Sequence, residues 1–270
     1  MKVLKFGGTS VANSESLSSV LKIIQNQTGP IAVVVSALGG VTDLLMEMLF
    51  LAQSGDDHYK DNLTIIEKRH LEIIKNCVPI QHQSAIISFL KKHLNKLESL
   101  LEAVHLLKEA TPKNNSSISA YGEILSSNII QEIFSFNNVN SVFKDSRELI
   151  KTSSHNGREI VDQELTNKLI QDYFKKNTSD VVLITGFIAS NASGETTTLG
   201  RGGSDYSAAI IANATESDVL EIWTDVSGMF TAHPKIVAQA KPIEKLSYYE
   251  AMELSHFGAK VIYPPTLQPI

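Results

Sequence analysis

The sequence predicts an α/β fold in which helices cover a mainly parallel sheet. Three observations predict it. Short, β-branched apolar runs recur at Val3–Phe6, Ile31–Val35, Val139–Phe143, Val181–Thr185 and Val219–Trp223. Longer stretches of helical period separate them. Glycine-containing turns follow the first two runs, where a strand hands over to a helix. Strands alternating with helices in this way describe a sheet with covered faces rather than a β-sandwich or a helical bundle.

Taken in order, the first run leads through Gly7-Gly8-Thr9-Ser10 into a helix that reaches about Ile24. The second leads through Ser36-Ala37-Leu38-Gly39-Gly40 into a helix from about Thr42. From about Asp56 to Glu109, leucines and charges keep helical spacing with almost no glycine, and Pro79 is the one strong breaker. Residues 56–110 therefore read as a mostly helical insertion or lid. It carries His70, His82, His93 and His105 at intervals of 12, 11 and 12. Helical metal pairs need i, i+3 or i+4 spacing, so these are expected to be solvated surface histidines. Cys77 reads as a small buried apolar residue. Ile188 to Leu199 reads as a hairpin around an Asn-Ala-Ser-Gly turn, which runs into Gly200-Arg201-Gly202-Gly203-Ser204-Asp205 and a small-residue helix, Tyr206–Ala214. The polar joint at 175–179 suggests two lobes, about 1–178 and about 179–270.

Composition excludes several classes of function. At 43% hydrophobic and 20% charged, the 270 residues match a soluble globular chain rather than a disordered or fibrous one. A net charge of −5 has the wrong sign for binding nucleic acid through phosphate neutralisation. The N-terminus lacks an apolar signal region, and no apolar run approaches the roughly 20 residues that span a bilayer, so no membrane partner and a cytoplasmic location are expected. A single cysteine also suits a reducing compartment.

Two glycine-rich turns open helices and could hold anions on backbone N–H groups and the helix dipole. In the first, Lys5 precedes the glycines, the reverse of a P-loop, so its charge must come from the strand. A tight turn with a solvent-facing lysine is the plain alternative. The second, at 200–205, fails the dinucleotide fingerprint because Asp205 stands at its last position. Arg201 offers a bidentate fork to carboxylate or phosphate, and Asp205 can hold ammonium groups or a metal. Ser204 or Asp205 could instead simply cap the helix. Ser36, Thr42, Glu123, Asp225 and Lys260 are weaker individual candidates, although Glu123 lies on a helix of small and apolar residues, where a charge needs a partner.

In order along the chain, KFGGTS, VSALGGVT, YGEILS, GRGGSD, WTDVSG and FGAKV resemble the aspartate kinases of the amino acid kinase family, with the catalytic portion of bifunctional aspartokinase–homoserine dehydrogenases nearest in flavour. The resemblance covers residues 5 to 263. It implies an open three-layer αβα sandwich with an amino-acid-binding lobe and a nucleotide lobe. It also implies transfer of the ATP γ-phosphoryl group, with Mg2+ as the partner of ATP and no protein metal cage, to L-aspartate on the way to lysine, threonine and methionine. By the same resemblance, Lys5 and Lys260 contact the moving phosphoryl group and Asp205 positions them, with Gly7 and Gly8 offering backbone donors. Glu123, Arg201 and Ser204 hold the ammonium and α-carboxylate, and Ser36 and Thr42 the side-chain carboxylate. Thr224, Asp225, Phe230 and Lys235 match the nucleotide segment. Two departures lie there: His233 and Lys235 stand where the family commonly has Asp and Arg. The chain ends at Ile270 without the regulatory ACT domains of aspartokinases, which reads as a piece of a longer protein, and a homodimer is compatible with the resemblance.

Two rival readings stay open. One is a relative acting on acetylglutamate, glutamate or UMP, which shares the fold and the glycine loops. The other is a catalytically weak nucleotide-binding or assembly module, motivated by His233. An ADP-release assay across acidic acceptors separates them.

Overall fold

Strands that are apolar on both faces have to be covered twice, and this chain does so with helices on either side of one parallel sheet. The computed structural model describes residues 1–155, 158–233, 235–257 and 261–270. It begins β1 (Lys2–Phe6), α1 (Ser14–Gln25), β2 (Ile31–Val35) and α2 (Val41–Ser54), then continues through three helices, α3 (Tyr59–Cys77), α4 (Gln83–Leu107) and α5 (Pro112–Ser119). Next come α6 (Tyr121–Phe136), β3 (Ser141–Lys144), β4 (Lys151–His155), β5 (Arg158–Val161) and α7 (Gln163–Lys176). The remainder is β6 (Val181–Thr185), β7 (Ile188–Asn191), β8 (Thr196–Thr198), α8 (Gly203–Ala214), β9 (Val219–Trp223) and α9 (Tyr248–His256).

The main sheet has the order β3-β6-β2-β1-β9, and every pair in it is parallel. Alternate side chains sort onto its two faces. Leu4, Phe6, Val33 and Val35 join the core formed with α1, α2, α3, α4 and α6, whereas Val3, Ala32, Val34 and Ile184 join one formed with α7 and α8. The three-layer αβα sandwich expected from the sequence is therefore present.

The runs predicted at 31–35, 181–185 and 219–223 are strands over those residues. The third prediction is displaced. Asn138 takes a left-handed φ of 56°, and the Val139 N–H still bonds back to Phe134 O at 3.0 Å, so the strand begins only at Ser141. The hairpin expected around 188–199 is β7–β8, and it belongs to a second sheet, β5-β4-β7-β8, which the sequence reading did not foresee.

The insertion is helical as expected, but its histidines correct the sequence reading. His70 is fully buried, because it falls between Ile66 and Ile73 on the apolar stripe of α3. Its Nδ1 lies 2.7 Å from Ile66 O, and burial pushes its pKa down to about 4, so the ring is neutral. His93 and His105 are half-buried against Phe89 and Tyr59, and of the four only His82 is exposed. Cys77 is half-buried against the same core, and burial pushes its thiol up. No described helix is long and apolar enough to cross a membrane.

Candidate active site

Parallel sheets present ligand-binding groups at the carboxyl ends of their strands, and the first charged group there is Lys5. It lies between β2 and β9, in register with Val34 and Ile222, and is 8% exposed. A buried ammonium needs a counter-charge. Asp205, in the first turn of α8, supplies it at 2.6 Å. The helix dipole favours an acid at this place. The contact is out of line for a hydrogen bond, so Oδ1 of Asp205 keeps its acceptor capacity. Gly202, which precedes α8, has a positive φ of 67° that a side chain would resist, and this turn aims Arg201 and Ser204 at the same space.

The loops after β1 and β2 interlock below that space. The Gly39 N–H donates to Gly8 O at 2.9 Å, and a Cβ on Gly8 would lie only 3.0 Å from Ala37 O. Ser126 on α6 donates to Ser36 O at 2.8 Å and fixes the second loop against the helix. One turn earlier on α6, Glu123 is 3% exposed. Its Oε1 accepts the Ala37 N–H at 3.2 Å, while Oε2 is buried without a partner. Burial pushes this carboxyl up to about 8, against the opposing pull of that N–H and the positive field of Lys5. Such a group is prepared to ionise against an incoming cation.

These groups surround one cleft of about 640 Å³. Lys5, Gly8, Ser36, Thr42 and Glu123 stand on one side, with Arg201, Ser204 and Asp205 on the other, so most residues singled out in the sequence meet here. The remaining described ones are not among its lining. The Gly7 N–H is already bonded to Trp223 O at 3.1 Å, so Gly7 is not the free anion donor expected of it. Thr224 and Asp225 follow β9 at the same end of the sheet, exposed and bonded to each other at 3.0 Å. Phe230 is half-buried and bridged to Pro242, and Lys235 is exposed. Lys260 lies outside the described residues. Among the described residues, no group of three or more His, Cys, Asp or Glu side chains could hold a metal.

Sequence reasoning missed the wall that α5 contributes, which brings Asn115, Ser116 and Ser119 to the cleft. The available signal was Thr111-Pro112, a capping residue followed by proline at the first helical position. Phe187, also in the lining, holds a φ of 66°, with its N–H donating to Ser207 Oγ at 3.0 Å.

An αβα sandwich whose glycine-rich turns meet a buried lysine in one cleft at the carboxyl ends of its strands has the layout of a small-molecule-binding α/β domain. Residues 1–270 match the amino acid kinase family, and the chain belongs to it. A bifunctional aspartokinase/homoserine dehydrogenase of Buchnera aphidicola subsp. Acyrthosiphon pisum is 38% identical over 282 residues, covering 100% of this chain and 34% of the relative. The lysine-sensitive aspartokinase 3 of Escherichia coli K12 is 34% identical, covering 99% of this chain and 58% of the relative. The crystal structure of E. coli aspartokinase III in complex with aspartate and ADP superposes on the whole chain and 59% of its own, with a TM-score of 0.89 at 32% identity. This chain thus spans 34% to 58% of the length of these two curated relatives.

Proposed function

We propose that this chain is the catalytic portion of an ATP-dependent aspartate kinase, which transfers the γ-phosphoryl group of ATP to the side-chain carboxylate of L-aspartate. The products are 4-phospho-L-aspartate and ADP. The observation that carries this reading is the grouping of Lys5, Glu123 and Arg201 around one cleft. One cation serves the moving phosphoryl group, one buried acid an ammonium, and one guanidinium fork a carboxylate. The crystal structure of E. coli aspartokinase III with aspartate and ADP supports the choice of ligands.

An aspartate side chain, with an ordinary pKa of about 3.9, is already ionised at neutral pH and needs no general base. One of its oxygens attacks the γ-phosphorus while the bond to the bridging β–γ oxygen breaks, and ADP leaves with that oxygen. Catalysis then rests on alignment and charge. Asp205 holds the Lys5 ammonium at the end of β1, where it faces the charge that builds up on the phosphoryl oxygens. Glu123 and the Arg201–Ser204 turn hold the ammonium and α-carboxylate, which leaves the side-chain carboxylate to Ser36 and Thr42. Thr224, Asp225, Phe230 and Lys235 serve the nucleotide, with Lys260 as a second cation, so ATP sits on 179–270, while the acceptor lies in the cleft between Ser36, Thr42 and Glu123 of 1–178 and Arg201 and Ser204 of 179–270. Mg2+ would come with ATP, held by the nucleotide's phosphates, with Asp205 the carboxylate of the cleft nearest to Lys5. We place the reaction in the cytoplasm.

The test is ADP release with L-aspartate, L-glutamate, N-acetyl-L-glutamate and UMP, combined with hydroxamate trapping of the acyl phosphate. Aspartate-dependent turnover with a trapped hydroxamate is expected. Preference for either N-acetylglutamate or UMP overturns the assignment.

A further inference from the structure

The insertion ends in a helix that continues almost without a break into α6. Ala120, between α5 and α6, keeps helical dihedrals (φ −63°, ψ −22°). Its N–H and that of Ile124 both bond four residues back, at 3.1 Å each. Asn115, Ser119 and Glu123 are therefore successive i, i+4 positions on one helical path, stacked a turn apart on one face. All three line the cleft. The row grades outward, with Glu123 and Ser119 buried and Asn115 half-buried at the outer end.

Asn115 has an unmet requirement. Its Oδ1 is buried without a hydrogen-bond partner, an arrangement that costs free energy unless something else supplies a donor. A side chain rich in donors lines the same cleft. Lys113 of α5 pairs with Glu195 at 2.5 Å, so α5 is pinned beside β8. From β8 the chain passes through Leu199 and Gly200 directly to Arg201, whose exposed guanidinium lines the same cleft. Arg201 has five N–H donors and no acceptor, whereas an asparagine amide has both.

We propose that Asn115 is a specificity-determining residue for the acceptor. Its amide oxygen takes one N–H of Arg201, and its amide N–H joins Arg201 on the acceptor's α-carboxylate. The proposal rests on the aspartate kinase reading and deepens it. Glu123 and Arg201 alone would bind many amino acids, and a neutral amide that completes the guanidinium fork makes the site demand a free, ionised α-carboxylate.

The experiment measures KM, kcat and calorimetric binding for L-aspartate and for its α-carboxamide, in the unmodified chain and in Asn115→Ala and Asn115→Asp. Losing one hydrogen bond to a charged group corresponds to about a tenfold change in affinity. Both variants should raise KM for aspartate by about tenfold or more, with the aspartyl variant worse because it opposes like charges. The α-carboxamide should lose much less, and kcat should change little, because the reacting carboxylate lies at the other end of the molecule. A merely structural role would instead move kcat, thermal midpoint and both acceptors together. If Asn115→Asp does not fold, Asn115→Ser reads the same ratio. An unchanged preference for aspartate over its α-carboxamide in variants that fold overturns this proposal alone. An unmodified chain that neither binds nor phosphorylates aspartate overturns the functional reading and this proposal with it.

Discussion

The side of the cleft that we assign to the acceptor and the segment beyond β9 are held by very different amounts of buried surface. Around Lys5, every residue of β2 is buried, and Phe6, Ala37, Leu38 and Val41 pack beneath the loops. Beyond Trp223, the buried described residues are Met229, Ala251, Thr266 and Leu267, while Ile236, Tyr249 and Phe257 are 80%, 85% and 86% exposed. Few buried apolar contacts mean a low free energy of local opening. The side that we assign to the acceptor is thus preformed by the core, whereas the described residues of the segment that we assign to the nucleotide bury little to hold its shape, and on that assignment part of the nucleotide's binding energy goes into ordering it.

The sharpest challenge to this contrast is Lys5→Ala. If the rigid side carries the transition-state charge, kcat should fall roughly 10²-fold or more, with KM for ATP much less affected. Near-normal kcat in steady-state assays would remove Lys5 from the chemistry and shift weight to the other side.

Paired core truncations come next. Leu97→Ala, at a fully buried position of α4, should cost about 2–5 kcal/mol in denaturant unfolding. Leu267→Ala should cost clearly less global stability, because its cluster is small, and should raise KM for ATP. Equal losses at the two positions would erase the distinction.

The last test is a pair of opposite pH dependences. Glu123 titrates at about 8 in the folded protein against an ordinary 4.5, so the folded state holds an extra proton between those values, and this contribution to stability is lost as pH rises through them. Glu123→Gln should therefore gain thermal midpoint on the unmodified chain between about pH 5 and about pH 8. His70 is displaced the other way, to about 4 from 6.5, so the unfolded state takes up the extra proton and stability falls as pH drops through that window. His70→Leu should gain on the unmodified chain as pH is lowered from about 7 to about 4. Parallel pH curves in either comparison would mean that the group titrates alike folded and unfolded.

The sheet was legible because its strands are written in one idiom. Ile31–Val35 and Val181–Thr185 are continuous apolar runs, and burial on both faces demands that pattern. The second sheet was not, because Lys151–His155 is polar and pairs by its backbone, which leaves no hydrophobic period to read. His70 was misjudged on chemistry alone, although its place between Ile66 and Ile73 already assigns it to the inner face. In the cleft, Lys5, Glu123 and the glycine loops stood out because a charge beside a strand end, or among apolar neighbours, has to be accounted for. Asn115 did not, since Thr-Pro-Lys-Asn-Asn-Ser-Ser has the composition of a turn and becomes a cleft wall only once Pro112 starts a helix.

Gly202 has one more consequence. A Cβ there would stand 2.5 Å from Cβ of Tyr263, so the anion loop and the segment near the end of the chain mesh like two gear teeth with no clearance. Close-packed contacts of this kind pass on displacement instead of absorbing it. Any pull on the 261–270 stretch therefore arrives at the base of Arg201, and the aim of the guanidinium over the cleft can be trimmed mechanically from residues that do not line that cleft.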